Sequence, residues 1–240
     1  MNLKLRRSYF LTVCITCLLM VLSSARTAEL EGESKPTSQA KRPYAYIASQ
    51  TVWPTNNIKV CWDNPSDNFK WAMETVKTAV SETWEAHSGV RFTGWGLCAE
   101  KNAGIRITVI DSATLTPRTR GLGKQMELRG TNREFSAGGM YLNFTFKNWS
   151  KNFCDNETNR KTCVRSLAIH EFGHALGFSH EHNRFDKLES CTEPPQGGDG
   201  DTVVGPYDKD SVMNYCKAIY VSNLKLSELD IAGVQAFYGK

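Results

Sequence analysis

Beyond its first 25 residues the chain has no apolar run long enough to cross a membrane, and it has no marked excess of either charge. The full chain carries 29 basic and 25 acidic residues, and three of the basic residues lie in residues 1–25. The remainder is therefore almost neutral. Because nucleic-acid partners favour a clustered basic face, this balance argues against a nucleic-acid partner.

The first 25 residues are typical of a secretory signal peptide. A basic start precedes an apolar run from Tyr9 to Leu22, which is shorter than a membrane span. Ser23 and Ala25 place small residues before a cleavage site that follows Ala25. An uncleaved anchor is the alternative. We predict a protein without a stable membrane anchor that is secreted, or periplasmic in a bacterial host; no sequence feature defines its oligomeric state.

The remaining cysteines include no Cys-x2-Cys pair, which disfavours a cysteine-bound zinc site. Six cysteines follow the signal segment, and an even number in an exported chain predicts disulfides. We favour pairing in sequence order because each bond then closes one local unit. The predicted pairs are Cys61–Cys98, Cys154–Cys163 and Cys191–Cys216.

Periodicity outlines the rest of the chain. Residues 26–50 are polar and predict a linker or short pro-segment, which leaves one folded domain over 51–240. Alternating apolar residues predict strands at 58–62, 105–109 and 140–144, and helical spacing predicts helices over 69–84 and over 164–176. Ser227 can cap a last helix together with Asp230, and Gly239 can end it. Residues 111–138 are predicted mostly as loop. This mixture of strands and helices indicates an α+β domain.

Histidine is scarce, yet four of the five histidines fall within 13 positions. His170 and His174 are four residues apart, so on a helix they project from one face. Gly177 permits the positive φ that ends a helix, and His180 can then return to the same point. Three imidazoles and a water form the open tetrahedral arrangement of a catalytic zinc ion.

Glu171 follows the first histidine and lies at the edge of the same helix face. From there it can act as the general base for a zinc-bound water without being a ligand. A non-catalytic zinc-stabilised binding protein is the main alternative, but a structural site closes its fourth position and needs no base. A secreted adhesin that kept the fold of an enzyme but lost its activity is a further alternative, but it would lack one of these residues, and Glu171 and all three histidines are present. His87 and His182 are predicted as ordinary surface histidines.

The extended pattern His-Glu-x-x-His-x-x-Gly-x-x-His resembles the metzincin superfamily of zinc endopeptidases. The second mark of that superfamily is the Met-turn, and the stretch SVMNY at Ser211–Tyr215 resembles it. The resemblance implies that Met213 forms an apolar floor beneath the three imidazoles. It also implies one catalytic Zn²⁺ and a protein or peptide substrate.

Within the metzincins, Glu181, Arg184 and Asp186 resemble the astacin family, which has a glutamate directly after its third histidine. Tyr215 also resembles astacins, where this tyrosine is an extra zinc ligand that moves to help bind the transition state. The tail Leu226–Gly239 resembles instead the last helix of matrixins. The chain is therefore similar to a compact astacin with a matrixin-like C-terminus.

These resemblances imply a metzincin fold: a twisted, mostly parallel sheet with two helices in an upper lobe, an irregular lower lobe that ends in a helix, and a zinc cleft between them. They imply a secreted zinc-dependent endopeptidase that hydrolyses internal peptide bonds. Residues 140–144 are a candidate edge strand for pairing with an extended substrate, and an interior strand is the alternative.

Three further stretches are less specific. Residues 197–201, GGDGD, are compatible with calcium binding or with a polar loop. Asn143, Asn148 and Asn156 each begin an N-glycosylation sequon. Residues 30–33, LEGE, faintly resemble the astacin pro-segment switch, and a solvated linker is the alternative.

Overall fold

A five-stranded sheet, a two-stranded sheet and three α-helices form the part of the chain that this computed structural model describes, residues 45–99, 104–127, 139–149, 153–217 and 224–240. The predicted signal peptide and the LEGE stretch lie outside the described residues. The elements, in chain order, are β1 (Ala45–Ile47), β2 (Asn57–Trp62), α1 (Lys70–Val80), β3 (Arg91–Leu97), β4 (Ile105–Val109), β5 (Arg118–Thr119), β6 (Met140–Leu142), α2 (Glu157–Ala175), β7 (Thr202–Val204) and α3 (Glu228–Tyr238).

The main sheet has the strand order β3-β2-β4-β6-β5, and its first four strands are parallel. On β2 the alternating Ile58, Val60 and Trp62 are all buried, as their spacing predicts. Only β5 runs antiparallel, against β6. The predicted α+β class with a mostly parallel sheet is therefore confirmed.

The prediction that residues 140–144 form the edge strand is wrong. Strand β6 lies between β4 and β5, so it is an interior strand of the sheet. The edge is β5, a two-residue strand from the stretch predicted mostly as loop, where Arg118 pairs with Tyr141 and Thr119 with Met140. A strand this short is too brief to show alternation, so periodicity could not find it.

Helix α2 is the central element of the fold. It begins seven residues before the predicted start, because the Asn156 side chain accepts a hydrogen bond from the N–H of Thr158 and caps a polar first turn. Its second half, from Ser166 to Ala175, is buried on every side. The Trp84 indole, in the π-helical turn that extends α1, donates to the carbonyl of Ile169 and ties the two helices together.

The described residues between α2 and α3, 176–217 and 224–227, are mostly irregular. Strand β7 in this region pairs antiparallel with β1, which lies inside the stretch predicted as linker or pro-segment. Helix α3 begins at the predicted cap: Ser227 accepts from the Asp230 N–H, and Asp230 accepts in return from the Ser227 N–H. Gly239 ends this helix with a φ of +70°.

Three disulfides join the six cysteines in sequence order. Cα–Cα distances are 5.0 Å for Cys61–Cys98, 5.8 Å for Cys154–Cys163 and 5.3 Å for Cys191–Cys216. The third bond links the loop that follows the histidine cluster to the residue after Tyr215. No α-helix of the described segments has the length and apolarity to cross a membrane.

Candidate metal centre

Three imidazoles converge on one point at the end of α2. His170 and His174 project from the buried last turns of the helix, and His180 returns to them after the helix has ended. The Nε2 atom of His180 lies 3.2 Å from that of His170 and 3.1 Å from that of His174. Nitrogen ligands of a tetrahedral zinc ion stand about 3.3 Å apart, from bonds of about 2.0–2.1 Å, so this spacing fits zinc.

The chain reverses between the second and third histidines through Gly177. This glycine has a φ of +96°, and its N–H donates to the carbonyl of His174 at the helix end. Phe178 then bridges to Ile47 of β1, which fixes the direction of the returning chain. His180 is therefore delivered by a glycine-dependent turn that is held against the small sheet.

Each of the three rings is oriented by a backbone carbonyl. The Nδ1 atoms of His170, His174 and His180 lie 2.8, 2.7 and 2.8 Å from the carbonyl oxygens of Val212, Phe178 and Gln196, respectively. A carbonyl only accepts, so each imidazole donates through Nδ1 and keeps the Nε2 lone pair for a cation.

Burial keeps these imidazoles neutral. It lowers the pKa of His170 to about 3, with a smaller contribution from neighbouring His180. Burial likewise lowers the pKa of His174 and of His180. Metal ions bind the neutral imidazole, so the three side chains are in the form that a zinc ion requires.

Glu171, the residue after His170, is buried, and burial raises the pKa of its carboxyl to about 8. The backbone N–H of Thr119 on β5 partly offsets this rise in pKa, and Oε2 has no hydrogen-bond partner among the described residues. A divalent cation held by the imidazoles would favour the ionised carboxylate and lower that pKa. Oε2 of Glu171 is thus a buried hydrogen-bond acceptor that is free to take a proton.

The stretch SVMNY is anchored by α3. Both Asp230 oxygens accept from it: Oδ1 from the hydroxyl of Ser211 and Oδ2 from the N–H of Val212. The hydroxyl of Ser211 also accepts from the N–H of Met213, which is buried. Sequence reasoning found Asp230 only as a helix cap, because its second role depends on contacts 18 and 19 residues away in the chain.

Tyr215 lies among the histidine rings. Its ring centroid is 5.0 Å from that of His170, 4.5 Å from that of His180 and 5.0 Å from that of His182. The predicted surface position of His182 is wrong, because its side chain is fully buried. Its Nδ1 accepts from the N–H of Tyr215, a contact between residues 33 positions apart that local sequence cannot reveal.

Glu181 and Arg184 fix the loop after the third histidine. The Arg184 guanidinium forms an ion pair with Glu181 at 3.4 Å and donates hydrogen bonds to Asp186 and to the carbonyl of Gly205. Glu181 also accepts from the N–H of Asp208, and burial raises the pKa of its carboxyl to about 7. These residues of the astacin-like motif therefore support the site and do not converge with the histidines.

Side chains of the GGDGD stretch and the asparagine of one sequon form hydrogen bonds within the protein. Asp199 accepts from the side chain of Asn183, and Asp201 accepts from the N–H of Ser49. Asn143 is buried, and its side chain donates to Asp111. The three histidines are the one group of potential metal ligands that converges within the described residues.

Comparison with known sequences matches residues 157–192 to the astacin family of peptidases. The matched residues comprise α2, the turn that leads back to His180 and the first part of the loop that follows, so they include all three histidines. No curated protein matches the chain significantly.

Solved structures share the fold at low sequence identity. Two structures of myroilysin align with this chain at 19% identity. The first has a TM-score of 0.55, and the alignment covers 82% of this chain and 99% of the myroilysin chain. The second has a TM-score of 0.51 and covers 85% of this chain and 93% of the myroilysin chain. High choriolytic enzyme 1, a hatching enzyme zinc-protease from the medaka fish Oryzias latipes, aligns at 17% identity and a TM-score of 0.47, over 79% and 95%.

The matched helix and the three-histidine site support an astacin-like metzincin. Both findings support the chemical class of zinc metalloendopeptidases, which the resemblance in the sequence implies.

Proposed function

We propose that this protein is an exported endopeptidase that hydrolyses internal peptide bonds of proteins or peptides, with Glu171 as general base. The proposal rests on the Nε2 atoms of His170 and His174, which lie within 3.2 Å of that of His180, together with the next residue, Glu171, whose buried carboxylate has one oxygen without a partner among the described residues. A purely structural zinc site would have no use for that carboxylate.

His170, His174 and His180 would hold the zinc ion, which fits their spacing and their neutral state. The ion, when bound, supplies a Lewis acid that makes water more acidic and polarises the substrate carbonyl. Glu171 accepts the proton of the attacking water and can return it to the leaving amine. Oε2 of Glu171 is buried and has no partner among the described residues, so it is the oxygen that we expect to exchange the proton.

The outer edge of β5 is the proposed platform for the substrate. The Arg120 N–H donates to Gly139, toward β6, so the polar backbone groups of Thr119 face the opposite side. That side carries the contact with Glu171. An extended peptide that added as a further strand there would lie beside the general base, and main-chain pairing demands little of its sequence.

Tyr215 is the proposed oxyanion donor. Its ring packs against those of two candidate ligands, His170 and His180. A phenol in this place can donate a hydrogen bond to the oxygen of the tetrahedral transition state.

The decisive experiment offers a proteome-derived peptide library to the purified protein, with and without a chelator. Cleavage at internal bonds that stops with the chelator and returns with added Zn²⁺ is the expected result. Stoichiometric zinc binding without any cleavage would instead favour a zinc-stabilised binding protein. Equal cleavage in the presence and absence of bound metal would refute a zinc mechanism.

A further inference from the structure

The carbonyl that orients the third histidine comes from an exposed loop. Val212 lies in a turn anchored by Asp230, and Phe178 lies in the tight turn after α2, so the partners of the first two histidines are locally fixed. Gln196, which accepts from His180, has no regular secondary structure and lies 16 residues further along the chain. The Gln196 carbonyl therefore needs a further contact to fix its position.

Asn183 supplies that contact through both ends of its side-chain amide. Its Nδ2 donates to the Gln196 carbonyl at 2.8 Å, and its Oδ1 accepts from the Gln196 N–H at 2.9 Å. The same Nδ2 donates to Asp199 at 3.0 Å. The Gln196 carbonyl therefore accepts from both Asn183 and His180, which uses its two lone pairs.

The loop lies against the histidine at the same place. Gly197, with a φ of +71°, lies against the ring, since a Cβ on it would be in ordinary van der Waals contact, 3.5 Å from Cε1 and Nδ1 of His180. At the far end of the loop, the N–H of Asp201 donates to Ile47 of β1. Between these two points the loop covers His180, and the Asn183 amide fixes the peptide that the ring contacts.

We propose that Asn183 is a positioning residue for the metal centre, which sets the orientation of His180 through the Gln196 peptide. The inference rests on the proposed zinc function, since it assigns a role toward the ion. Groups that orient a metal-bound histidine commonly change metal affinity by about 10–100-fold when they are removed. Asn183 touches neither ion nor substrate, so its effect passes entirely through His180.

Zinc affinity, measured by competition with a chromogenic chelator, tests the proposal. We expect Asn183→Ala to raise the zinc dissociation constant about 10-fold or more. Asn183→Asp is nearly isosteric and keeps an acceptor for the Gln196 N–H but loses both donated bonds, so it should weaken zinc binding as well. Asn56→Ala is the matched control, because Asn56 also ties its amide to a backbone carbonyl, that of Tyr238, away from the histidines.

Two further readouts separate positioning from folding. In Co²⁺-loaded protein, the d–d absorption bands report ligand geometry and should shift in both Asn183 variants but not in Asn56→Ala. The melting temperatures of the zinc-free proteins should fall by similar amounts in Asn183→Ala and Asn56→Ala. An unchanged zinc dissociation constant in both Asn183 variants, or an equal loss of affinity in Asn56→Ala, overturns the proposal.

The parent protein distinguishes this inference from the proposed function. A parent that binds zinc but cleaves no peptide would refute the endopeptidase, whereas the affinity comparison would still decide the role of Asn183. A parent that binds no zinc would refute both.

Discussion

The sulfur of Met213 occupies the space in which a side chain at Gly173 would lie. A Cβ built on Gly173 would be 2.3 Å from Met213 Sδ and 3.0 Å from Trp84 Cζ2. Gly173 is the residue directly before the second histidine, so its lack of a side chain lets the SVMNY turn pack against the helix that carries two candidate ligands. The space left by the missing side chain of Gly173 is thus filled by the Met213 sulfur.

Gly173→Ala should therefore lower the free energy of unfolding by about 1–3 kcal/mol, the usual cost of an overpacked core. Urea unfolding measures the change. Met213→Ala should make room, so Gly173→Ala should cost clearly less in that background. Gly96→Ala is the matched control, because a Cβ there meets nothing within 4 Å. Equal costs in the parent and in the Met213→Ala background would contradict the proposed clash.

Local pattern was enough to predict the centre of the site. His170 and His174 share a helix face, and Gly177 ends that helix, so three residues with local roles bring His180 back. The cap of α3 likewise joins two residues only three positions apart, Ser227 and Asp230. These features depend on spacings of a few residues, which a sequence displays directly.

The parts that the sequence did not predict depend on contacts between distant segments. Strand β5 has two residues and exists because β6 pairs with it. The Gln196 carbonyl lies in a loop without periodicity, and the burial of His182 depends on a segment 33 residues later. No local preference marks such residues, so only the folded chain reveals them.

Glu171→Gln should abolish most peptide cleavage while zinc stays bound. The amide keeps the size of the side chain and leaves all three imidazoles intact, but it cannot accept the proton of the attacking water. General-base catalysis contributes about 10²–10⁴-fold to rate, so we expect a loss within that range or larger. Metal analysis of the purified variant, alongside its rate on one identified peptide, checks the prediction. Glu74→Gln, on the exposed side of α1, is the control. Parental activity in Glu171→Gln would remove this residue from the mechanism.

Loss of the third disulfide should destabilise the domain. Cys191 and Cys216 are 25 residues apart, and closing a loop of that length is worth about 3 kcal/mol in the entropic account. We expect the paired substitution to serine, Cys191→Ser with Cys216→Ser, to lower the free energy of unfolding by about that amount. Non-reducing peptide mapping should first recover the 191–216 pair from the parent. A Cys61–Cys163 peptide in that map would show that the bonds do not follow sequence order.

Tyr215→Phe should lower kcat more than it raises KM. The ring would keep its packing against His170 and His180, and only the hydroxyl would be lost. A donor that acts mainly in the transition state contributes to kcat, and loss of one such donor elsewhere costs about 10²–10³-fold. We therefore expect a fall of at least about tenfold with unchanged zinc content. Tyr207→Phe is the matched control, because the Tyr207 hydroxyl accepts from Asn214 in the neighbouring turn and so tests the loss of a structural phenol. Parental kcat in a folded Tyr215→Phe protein would mean that the hydroxyl plays no part in the reaction, and that His170, His174, His180 and Glu171 are sufficient for it.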